Sequence, residues 1–359
     1  MRFNQLLTLM AFAFATPSQA QFDRKTLSVS GGYLYSYHFN APEGDKPTVL
    51  LLHGFPSSLY DWRKTIPDLR AAGYGVIAPD LRAAGYGVIA PDLLGFGETS
   101  KPEAVEEYVL SKLSAHVAEI LEHENLTSVV GVGHDFGAPL LSRFWNYYPQ
   151  YLSKLAFLAA TYRAPIPWDV EAMNNATEAA FGYPIFGYWY FMNETTAPET
   201  IIDHHESFSS LIWASVPGMW RTHVCPVGAL KNWVETDQIA PKPDYLSDEE
   251  YTTHKSIFEK GGYRGPTNLY KAAQRNIDSP NDAMIPAKNV IVNKPVLYVA
   301  GGNDDIGRPE LAVKAVSDGA NSGMVPNAQV KIIEGSYHWI QVQKPKETFE
   351  TLDAFIKEA

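Results

Sequence analysis

The chain has 359 residues, 45% of them hydrophobic and 19% charged, so it is long enough and apolar enough to bury a large core. Its formal net charge of −11 argues against nucleic acid and anionic membrane surfaces as partners. Cys225 is the only cysteine, which excludes an internal disulfide bond, and we expect its thiol to be buried and inert.

Residues 1–20 have the pattern of a secretory signal peptide. Arg2 supplies the positive start, residues 6–15 are apolar, and residues 18–20 resemble a cleavage site with small side chains. The apolar stretch is shorter than a membrane-spanning helix requires. We therefore expect a secreted protein cleaved near Ala20, without stable membrane insertion. The alternative is an uncleaved N-terminal membrane anchor. Three sequons are compatible with glycosylation, at Asn125, Asn175 and Asn193.

Apolar runs typical of buried strands recur along the chain and alternate with helical segments. They lie at residues 48–52, 76–80, 128–133, 154–159, 294–300 and 329–333. This alternation of apolar strands and helices predicts an α/β fold with a mainly parallel sheet and helices on both faces. Residues 163–287 lack this alternation and are rich in aromatic residues and proline, so we predict a mostly helical lid over one sheet edge. Residues 21–162 and 288–359 then form the two parts of the core.

One segment of the chain occurs twice. Residues 69–80, LRAAGYGVIAPD, are repeated without change at residues 81–92. Twelve residues are too short for a solenoid repeat. Complete identity indicates a recent duplication or a sequence-assembly error. The predicted sheet needs one strand here and either copy can supply it, so we expect the duplication to reduce stability locally.

Residues 131–137, Gly-Val-Gly-His-Asp-Phe-Gly, directly follow an apolar run and have the shape of a nucleophile elbow. The middle residue is Asp135 instead of the usual serine. A carboxylate attacks saturated carbon and leaves an alkyl ester on the enzyme, whereas its attack on an ester or amide would give an anhydride. The sequence therefore disfavours esterases and proteases. A nucleotide-binding turn, or an aspartate that only caps a helix, is the alternative interpretation.

Five further motifs accompany the elbow: HGFP at 53–56, PIFGY at 184–188, RGPTNLY at 264–270, GGNDD at 301–305 and SYHWI at 336–340. Together they resemble the epoxide hydrolase branch of the α/β-hydrolase fold, from about Phe22 to the C terminus. The resemblance implies that fold, with a helical lid inserted into the core. It also implies a small-molecule epoxide and water as reactants, with no cofactor and no metal.

The resemblance assigns roles to residues of the core. Asp135 is the nucleophile, and His338 activates water to attack the resulting ester. Asp304 orients the imidazole, with Asp305 as the alternative. The backbone N–H groups of Phe55 and Phe136 form the oxyanion hole.

The same resemblance assigns two lid tyrosines, Tyr188 and Tyr270. Two phenols that point at one position can hydrogen-bond an epoxide oxygen and give it a proton as the ring opens. Tyr190 lies close to Tyr188 in the sequence and is an alternative to it. The expected product is a vicinal diol.

Two other functions stay open. A dehalogenase of the same fold uses the same aspartate and histidine, but haloalkane dehalogenases hold the halide with a Trp after the nucleophile, where this chain has Phe136. Relatives that act on haloacetates use a His-Trp-Tyr cradle, and residues 188–190, Tyr-Trp-Tyr, lack the histidine. The second alternative is a non-catalytic binder of a small apolar ligand, since a fold does not fix a function.

Overall fold

A computed structural model describes residues 24–66 and 86–358. The predicted signal peptide at 1–20 and the first copy of the repeat at 69–80 lie outside the described residues. The described chain forms one sheet of eight strands. Their bounds are β1 Arg24–Val29, β2 Tyr33–Asn40, β3 Thr48–Leu52, β4 Gly87–Pro91, β5 Val129–His134, β6 Leu152–Leu158, β7 Val296–Gly301 and β8 Ala328–Ile333.

The sheet is mainly parallel, as predicted. The strand order is β1-β2-β4-β3-β5-β6-β7-β8. The strands from β4 to β8 in this order pair in parallel, whereas β1 pairs antiparallel with β2, and β2 with β4. The sequence did not predict β1 and β2. Most of β1 is polar and exposed, and β2 buries Ser36 and His38 but exposes Leu34, so neither strand has the continuous apolar run that marks a strand buried on both faces.

Helices cover both faces of the sheet. In β3, Leu50 and Leu52 pack into one apolar cluster, whereas Val49 and Leu51 pack into a second cluster on the opposite face. This alternation follows from the two-residue period of a strand. The helices of the core are α1 Leu110–His123, α2 Gly137–Tyr147, α13 Pro309–Ser322, α14 Ile340–Gln343 and α15 Pro345–Lys357.

The second copy of the repeat supplies strand β4. Its last residue, Asp92, is fully buried directly after the strand. The Asp92 carboxylate accepts hydrogen bonds from the backbone N–H of Leu59 at 2.9 Å and from Nη1 of Arg24 at 2.7 Å. The strand and the aspartate that follows it therefore connect β1 with the turn that follows β3.

The segment between β6 and β7 is helical, as the sequence predicted. The described residues 163–287 contain no strand. Their helices are α3 Val170–Phe181, α4 Tyr188–Met192, α5 Ala197–Asp203, α6 His205–Ile212, α7 Met219–His223, α8 Ala229–Glu235, α9 Asp248–Gly261, α10 Arg264–Gln274 and α11 Ser279–Asp282. Helix α12, Ala287–Val290, begins at residue 287, where the lid is predicted to end. The lid boundary stays a prediction.

The helical segment is attached to the core by buried contacts. Nε1 of Trp339, a core residue, donates to the carbonyl oxygen of Ile212 in α6 at 2.9 Å. The Trp339 ring also stacks on Trp213, with 4.2 Å between the ring centroids. A salt bridge of 2.9 Å joins Arg63 of the core to Glu250 of α9. Within the described residues, no helix has both the length and the apolar character needed to span a membrane.

Candidate active site

The nucleophile elbow places the Asp135 carboxylate at the carboxyl edge of the sheet. Asp135 lies between β5 and α2 and has a φ of +49°, in the left-handed region that side chains with a Cβ rarely adopt. Its carbonyl oxygen accepts from the N–H of Ala138 at 2.9 Å, which closes the turn. Gly137 is required here because a Cβ would overlap the carbonyl of Leu52 in the neighbouring strand.

The HGFP turn contacts this carboxylate directly. The backbone N–H of Phe55 donates to Oδ1 of Asp135 at 2.7 Å. A Cβ at Gly54 would overlap the Asp135 side chain, so the close approach depends on glycine. The buried ring of His53 fixes the turn. Its Nε2 accepts from the N–H of Leu93 at 3.0 Å, so its Nδ1 carries the proton and donates to the carbonyl of Gly54 at 2.9 Å.

His338 lies between two carboxylates. Its Nδ1 is 2.9 Å from Oδ2 of Asp304, and its Nε2 is 3.5 Å from Oδ2 of Asp135. The other oxygen of Asp304 accepts from the N–H of Ile306 at 2.8 Å. Asp305 points elsewhere and pairs with Arg221 at 3.0 Å. Of the two adjacent aspartates, Asp304 is therefore the one that contacts the imidazole.

The charges of His338 and of its two carboxylate neighbours determine which groups of this site carry protons when no substrate is bound. Burial alone would lower the pKa of His338, but the carboxylates of Asp304 and Asp135 raise it to about 10. Burial alone would raise the pKa of Asp135, but the hydrogen bond and charge of His338, together with the Phe55 N–H, hold it below its usual value. The free site therefore contains an imidazolium beside an ionised nucleophile.

The His134 side chain contacts the backbone of His338, and the sequence did not predict this contact. Its Nε2 lies 2.9 Å from the backbone carbonyl oxygen of His338 and therefore donates to it. Burial and the nearby charge of His338 lower the pKa of His134 to about 4, so its ring is neutral. No motif signals this contact, because it joins two segments that meet only in the folded chain.

The lid brings both predicted tyrosines to the nucleophile. Tyr188 begins α4 and Tyr270 lies in α10, and their ring centroids are 5.9 Å apart. Both line a cavity of about 20 Å³ together with Asp135 and His338. Tyr190 is 41% exposed and lines neither this cavity nor the larger one described below.

Both phenols are proton donors in this environment. Burial, followed by the negative charge of Asp135, raises the pKa of Tyr188. Burial, the Tyr188 phenol and Asp135 raise the pKa of Tyr270 well above its usual value. The two side chains therefore keep their protons at neutral pH, which suits hydrogen-bond donation to an electronegative atom.

Known proteins share this architecture. The family model for the alpha/beta hydrolase fold matches residues 47–345. The chain belongs to the α/β-hydrolase fold family. It is 29% identical to "Epoxide hydrolase A" of Mycobacterium tuberculosis over 326 residues, which cover 88% of this chain and 92% of the relative. It is 27% identical to "Bifunctional epoxide hydrolase 2" of Mus musculus over 314 residues. This match covers 86% of the chain but 51% of the mouse protein, so the chain spans about half the length of that relative.

Solved structures support the fold. The crystal structure of Epoxide Hydrolase A from Mycobacterium thermoresistibile superposes with a TM-score of 0.72 at 24% identity, and the match covers 93% of this chain and 97% of that one. The structure of VrEH1 from Vigna radiata, also an epoxide hydrolase, gives a TM-score of 0.71 at 24% identity over 93% of this chain and 98% of that one.

The site of this α/β-hydrolase opens into a larger cavity of about 490 Å³. Asp135 and His338 line its inner part. Aromatic and aliphatic side chains form much of its wall, among them Phe136, Trp168, Phe186, Trp189 and Leu311. A cavity of this size and character suits an apolar small molecule. No group of metal-binding side chains occurs among residues 24–66 and 86–358.

The structure therefore brings the predicted site residues of this hydrolase into one place. Phe136 directly follows the nucleophile at the start of α2, and its ring contacts Tyr270 with 4.6 Å between the ring centroids. Of the two predicted oxyanion-hole donors, the N–H of Phe55 contacts the Asp135 carboxylate. The catalytic roles of all these residues stay predictions.

Proposed function

We propose that this chain is an epoxide hydrolase that converts an epoxide and water into a vicinal diol. One observation carries the proposal: the ionised Asp135 and two protonated tyrosines, Tyr188 and Tyr270, line the same cavity. Epoxide opening requires a nucleophile at carbon and a proton donor at oxygen at the same time. The names of the relatives in Mycobacterium tuberculosis and Mus musculus support the same activity.

In the first step, Oδ2 of Asp135 attacks one epoxide carbon and the bond from that carbon to oxygen breaks. Tyr188 and Tyr270 hydrogen-bond the departing oxygen, and one of them gives it a proton. The product is a hydroxyalkyl ester of Asp135. Oδ1 becomes the ester carbonyl oxygen, because the N–H of Phe55 already holds it.

In the second step, water cleaves the ester. Once the ester has formed, the imidazolium of His338 gives up its Nε2 proton, and through water this proton restores the tyrosine that lost one in the first step. Neutral His338 then accepts a proton from the attacking water at Nε2 while Asp304 holds the Nδ1–H. The hydroxide adds to the ester carbonyl carbon, and the N–H groups of Phe55 and Phe136 stabilise the resulting oxyanion. Collapse expels the diol oxygen, which takes the proton from His338. The Asp135 carboxylic acid left behind then gives its proton to Nε2 of His338, which restores the ion pair of the free site.

Dehalogenation is less compatible with this geometry. A leaving halide requires N–H donors close to the nucleophile, and the side chain of Phe136 has none. The phenols of Tyr188 and Tyr270 instead suit an oxygen that stays attached to the substrate carbon skeleton. A non-catalytic binder would not need the buried charge pair of His338 and Asp135, which is costly to maintain without a function.

Product analysis tests the proposal. Purified protein is incubated with a panel of aryl and alkyl epoxides, and with haloalkanes and haloacetates in parallel. We expect diol formation without halide release, and loss of diol formation in Asp135→Ala. Halide release without diol formation would assign the chain to the dehalogenases and overturn the proposal.

We also propose that the chain enters the secretory route and is glycosylated at Asn125. The signal-like residues 1–20 support this route, and Asn125 is exposed in the turn after α1. Asn175 is exposed as well, but the Thr177 hydroxyl of its sequon is buried and donates to the carbonyl of Asn174, and Asn193 accepts a hydrogen bond from Arg275. Expression in a eukaryotic secretory host tests this. We expect soluble protein in the medium that begins near Gln21 and loses mass on deglycosylation. Retention in the membrane fraction would favour the N-terminal anchor.

A further inference from the structure

His134 joins the strand that carries the nucleophile to the His338 loop, residues 334–339. It is the last residue of β5 and directly precedes Asp135 in the chain. Its side chain is fully buried, and Nε2 donates to the backbone carbonyl oxygen of His338 at 2.9 Å. The two imidazole rings also lie against each other, with 5.0 Å between their centroids. One side chain therefore links the backbone of His338 to the elbow.

Other hydrogen bonds of the His338 loop lead away from the elbow. The N–H of Tyr337 donates to Oε1 of Gln343 in α14 at 2.6 Å. The carbonyl oxygen of Ser336 accepts from the N–H of Asn303, in the segment after β7, at 2.8 Å. These bonds hold the loop on α14 and on the segment after β7, whereas the bond from His134 holds it on β5.

The His134 side chain carries an unpaired acceptor. Because Nε2 holds the hydrogen of the neutral ring, Nδ1 has none and can only accept. Nδ1 is buried and, among the described residues, has no hydrogen-bond partner. Burial and then the charge of His338 lower the pKa of His134 to about 4, so the ring stays neutral at neutral pH. A buried acceptor without a partner costs free energy that an apolar side chain would not, so a residue that only filled this space would better be apolar.

The ion pair with Asp135 positions the imidazole only while the nucleophile is charged. In the free site, Nε2 of His338 lies 3.5 Å from Oδ2 of Asp135, and Nδ1 lies 2.9 Å from Oδ2 of Asp304. Ester formation removes the charge of Asp135 and with it the attraction at Nε2. Asp304 still holds Nδ1, but a single contact lets the ring turn about it. The bond from His134 joins two uncharged groups, so it persists in the ester.

We propose that His134 is a positioning residue for ester hydrolysis. It holds the backbone of His338 so that Nε2 keeps its place beside the ester carbonyl after the ion pair is lost. His134 lines neither cavity that contains Asp135, so it acts through His338 and not on the substrate. This role rests on the proposed function, because it belongs to the second step of that mechanism.

Two variants of nearly equal side-chain length test the role. His134→Gln keeps an N–H donor, whereas His134→Met removes it. We expect His134→Met to slow ester hydrolysis about tenfold, as the loss of one hydrogen bond would, and to change ester formation less than about twofold. His134→Gln should restore most of the hydrolysis rate. Rapid-quench measurements under single-turnover conditions with one aryl epoxide give both rates.

His116→Met is the matched control. His116 is also buried, with Nδ1 3.1 Å from the phenol oxygen of Tyr35, but it lies in α1 and lines neither cavity that contains Asp135. Its loss should leave both rates within about twofold of wild type. An unchanged rate of ester hydrolysis in His134→Met, or equal slowing of both steps, overturns the inference, and the proposed function stands because the wild type still forms diol.

The His134 variants should fold, because the carbonyl oxygen of His338 keeps a second donor. It also accepts from the N–H of Ile340 at 3.0 Å, so it does not become an unpaired buried group. Melting curves confirm that each variant is folded. A Gln variant that hydrolyses the ester no faster than the Met variant would also overturn the inference.

A measurement without epoxide separates this inference from the proposed function. Asp135→Asn removes the charge of the nucleophile as the ester does. In this background we expect His134→Met to broaden the NMR signal of the Nδ1 proton of His338, because the ring is held less firmly against Asp304. With Asp135 present, the ion pair should keep the signal sharp. If no epoxide is turned over but this pattern appears, the proposed function fails and the positioning of His338 by His134 stands. Equal signals with and without His134→Met in the Asp135→Asn background overturn the inference.

Discussion

Nε2 of His338 lies 3.5 Å from Oδ2 of Asp135, so the imidazolium and the carboxylate form an ion pair in the free site. The pair has a chemical consequence. The negative charge of Asp135 raises the pKa of His338, and that charge disappears when the carboxylate becomes an ester. In the proposed mechanism, ester formation therefore lowers the pKa of His338, which lets the imidazole act as a base when water must be activated.

The first prediction concerns this coupling. Asp135→Asn removes the negative charge in the same way as the ester does, so it should lower the pKa of His338 from its raised value near 10. Titration of the imidazole by NMR measures the change. Asp305→Asn is the control, because Asp305 pairs with Arg221 and should leave the pKa of His338 close to its wild-type value. A His338 pKa that is the same in wild type and Asp135→Asn would contradict the coupling.

The second prediction is that the two chemical steps lose their rates on acidification in different pH ranges. Ester formation needs ionised Asp135, whose pKa is lowered, so its rate should persist into the acid range and fall only below the usual pKa of a carboxyl group. Ester hydrolysis needs neutral His338, so its rate should fall as pH decreases through the pKa of His338 in the intermediate. Rapid-quench measurements under single-turnover conditions resolve the steps. If ester formation and ester hydrolysis slowed over the same pH range on acidification, separate roles for Asp135 and His338 would be contradicted.

The third prediction is that the intermediate can be trapped. His338→Gln removes the base but leaves Asp135, so the protein should gain the mass of one epoxide and turn over at least about a hundredfold more slowly. Asp135→Ala should show neither the adduct nor turnover. Mass spectrometry of the intact protein and of the peptide that contains residue 135 locates the adduct. An adduct on any other residue would refute the assignment of the nucleophile.

The fourth prediction separates the lid phenols from their neighbour. Tyr188→Phe and Tyr270→Phe each keep the ring but remove the proton donor, so each should slow ester formation by about a hundredfold or more. Tyr190→Phe is the matched control, since Tyr190 is exposed outside the cavities, and it should stay within about twofold of wild type. Single-turnover rates with one aryl epoxide compare the three variants. Equal rates of ester formation in all three variants would show that the two lid tyrosines only pack and do not donate a proton.

The fifth prediction concerns the repeated segment. Deletion of residues 69–80 leaves the copy that supplies β4 and shortens the connection between Ile66 and Tyr86 by twelve residues. A shorter connection costs less entropy to close, by about 1 kcal/mol. The melting temperature should rise by roughly 1–2 °C with turnover unchanged. Calorimetry of the two proteins checks this, and a shortened chain that melts no higher would contradict a destabilising repeat.

Sequence motifs predicted the site residues where the chemistry depends on local structure. The elbow around Asp135 and the histidine after β8 are both set by a strand and the turn that follows it. The choice between Asp304 and Asp305 needed the structure, because adjacent side chains point in different directions and the sequence contains both carboxylates. The His134 contact with the His338 carbonyl, and the packing of Trp189 between Trp168 and Phe136, depend on contacts between distant segments and have no local signal.

The hydrogen bond from Trp339 to Ile212 has a consequence for how substrate enters. Trp339 is the neighbour of His338, and Ile212 belongs to the helical segment that covers the sheet. A lid that lifted as a rigid flap would break this bond and the Trp213 stack, and would displace His338 with them. Ile166 lines the large cavity and is 57% exposed, so a path into the cavity beside Ile166 would leave His338 and these contacts undisturbed.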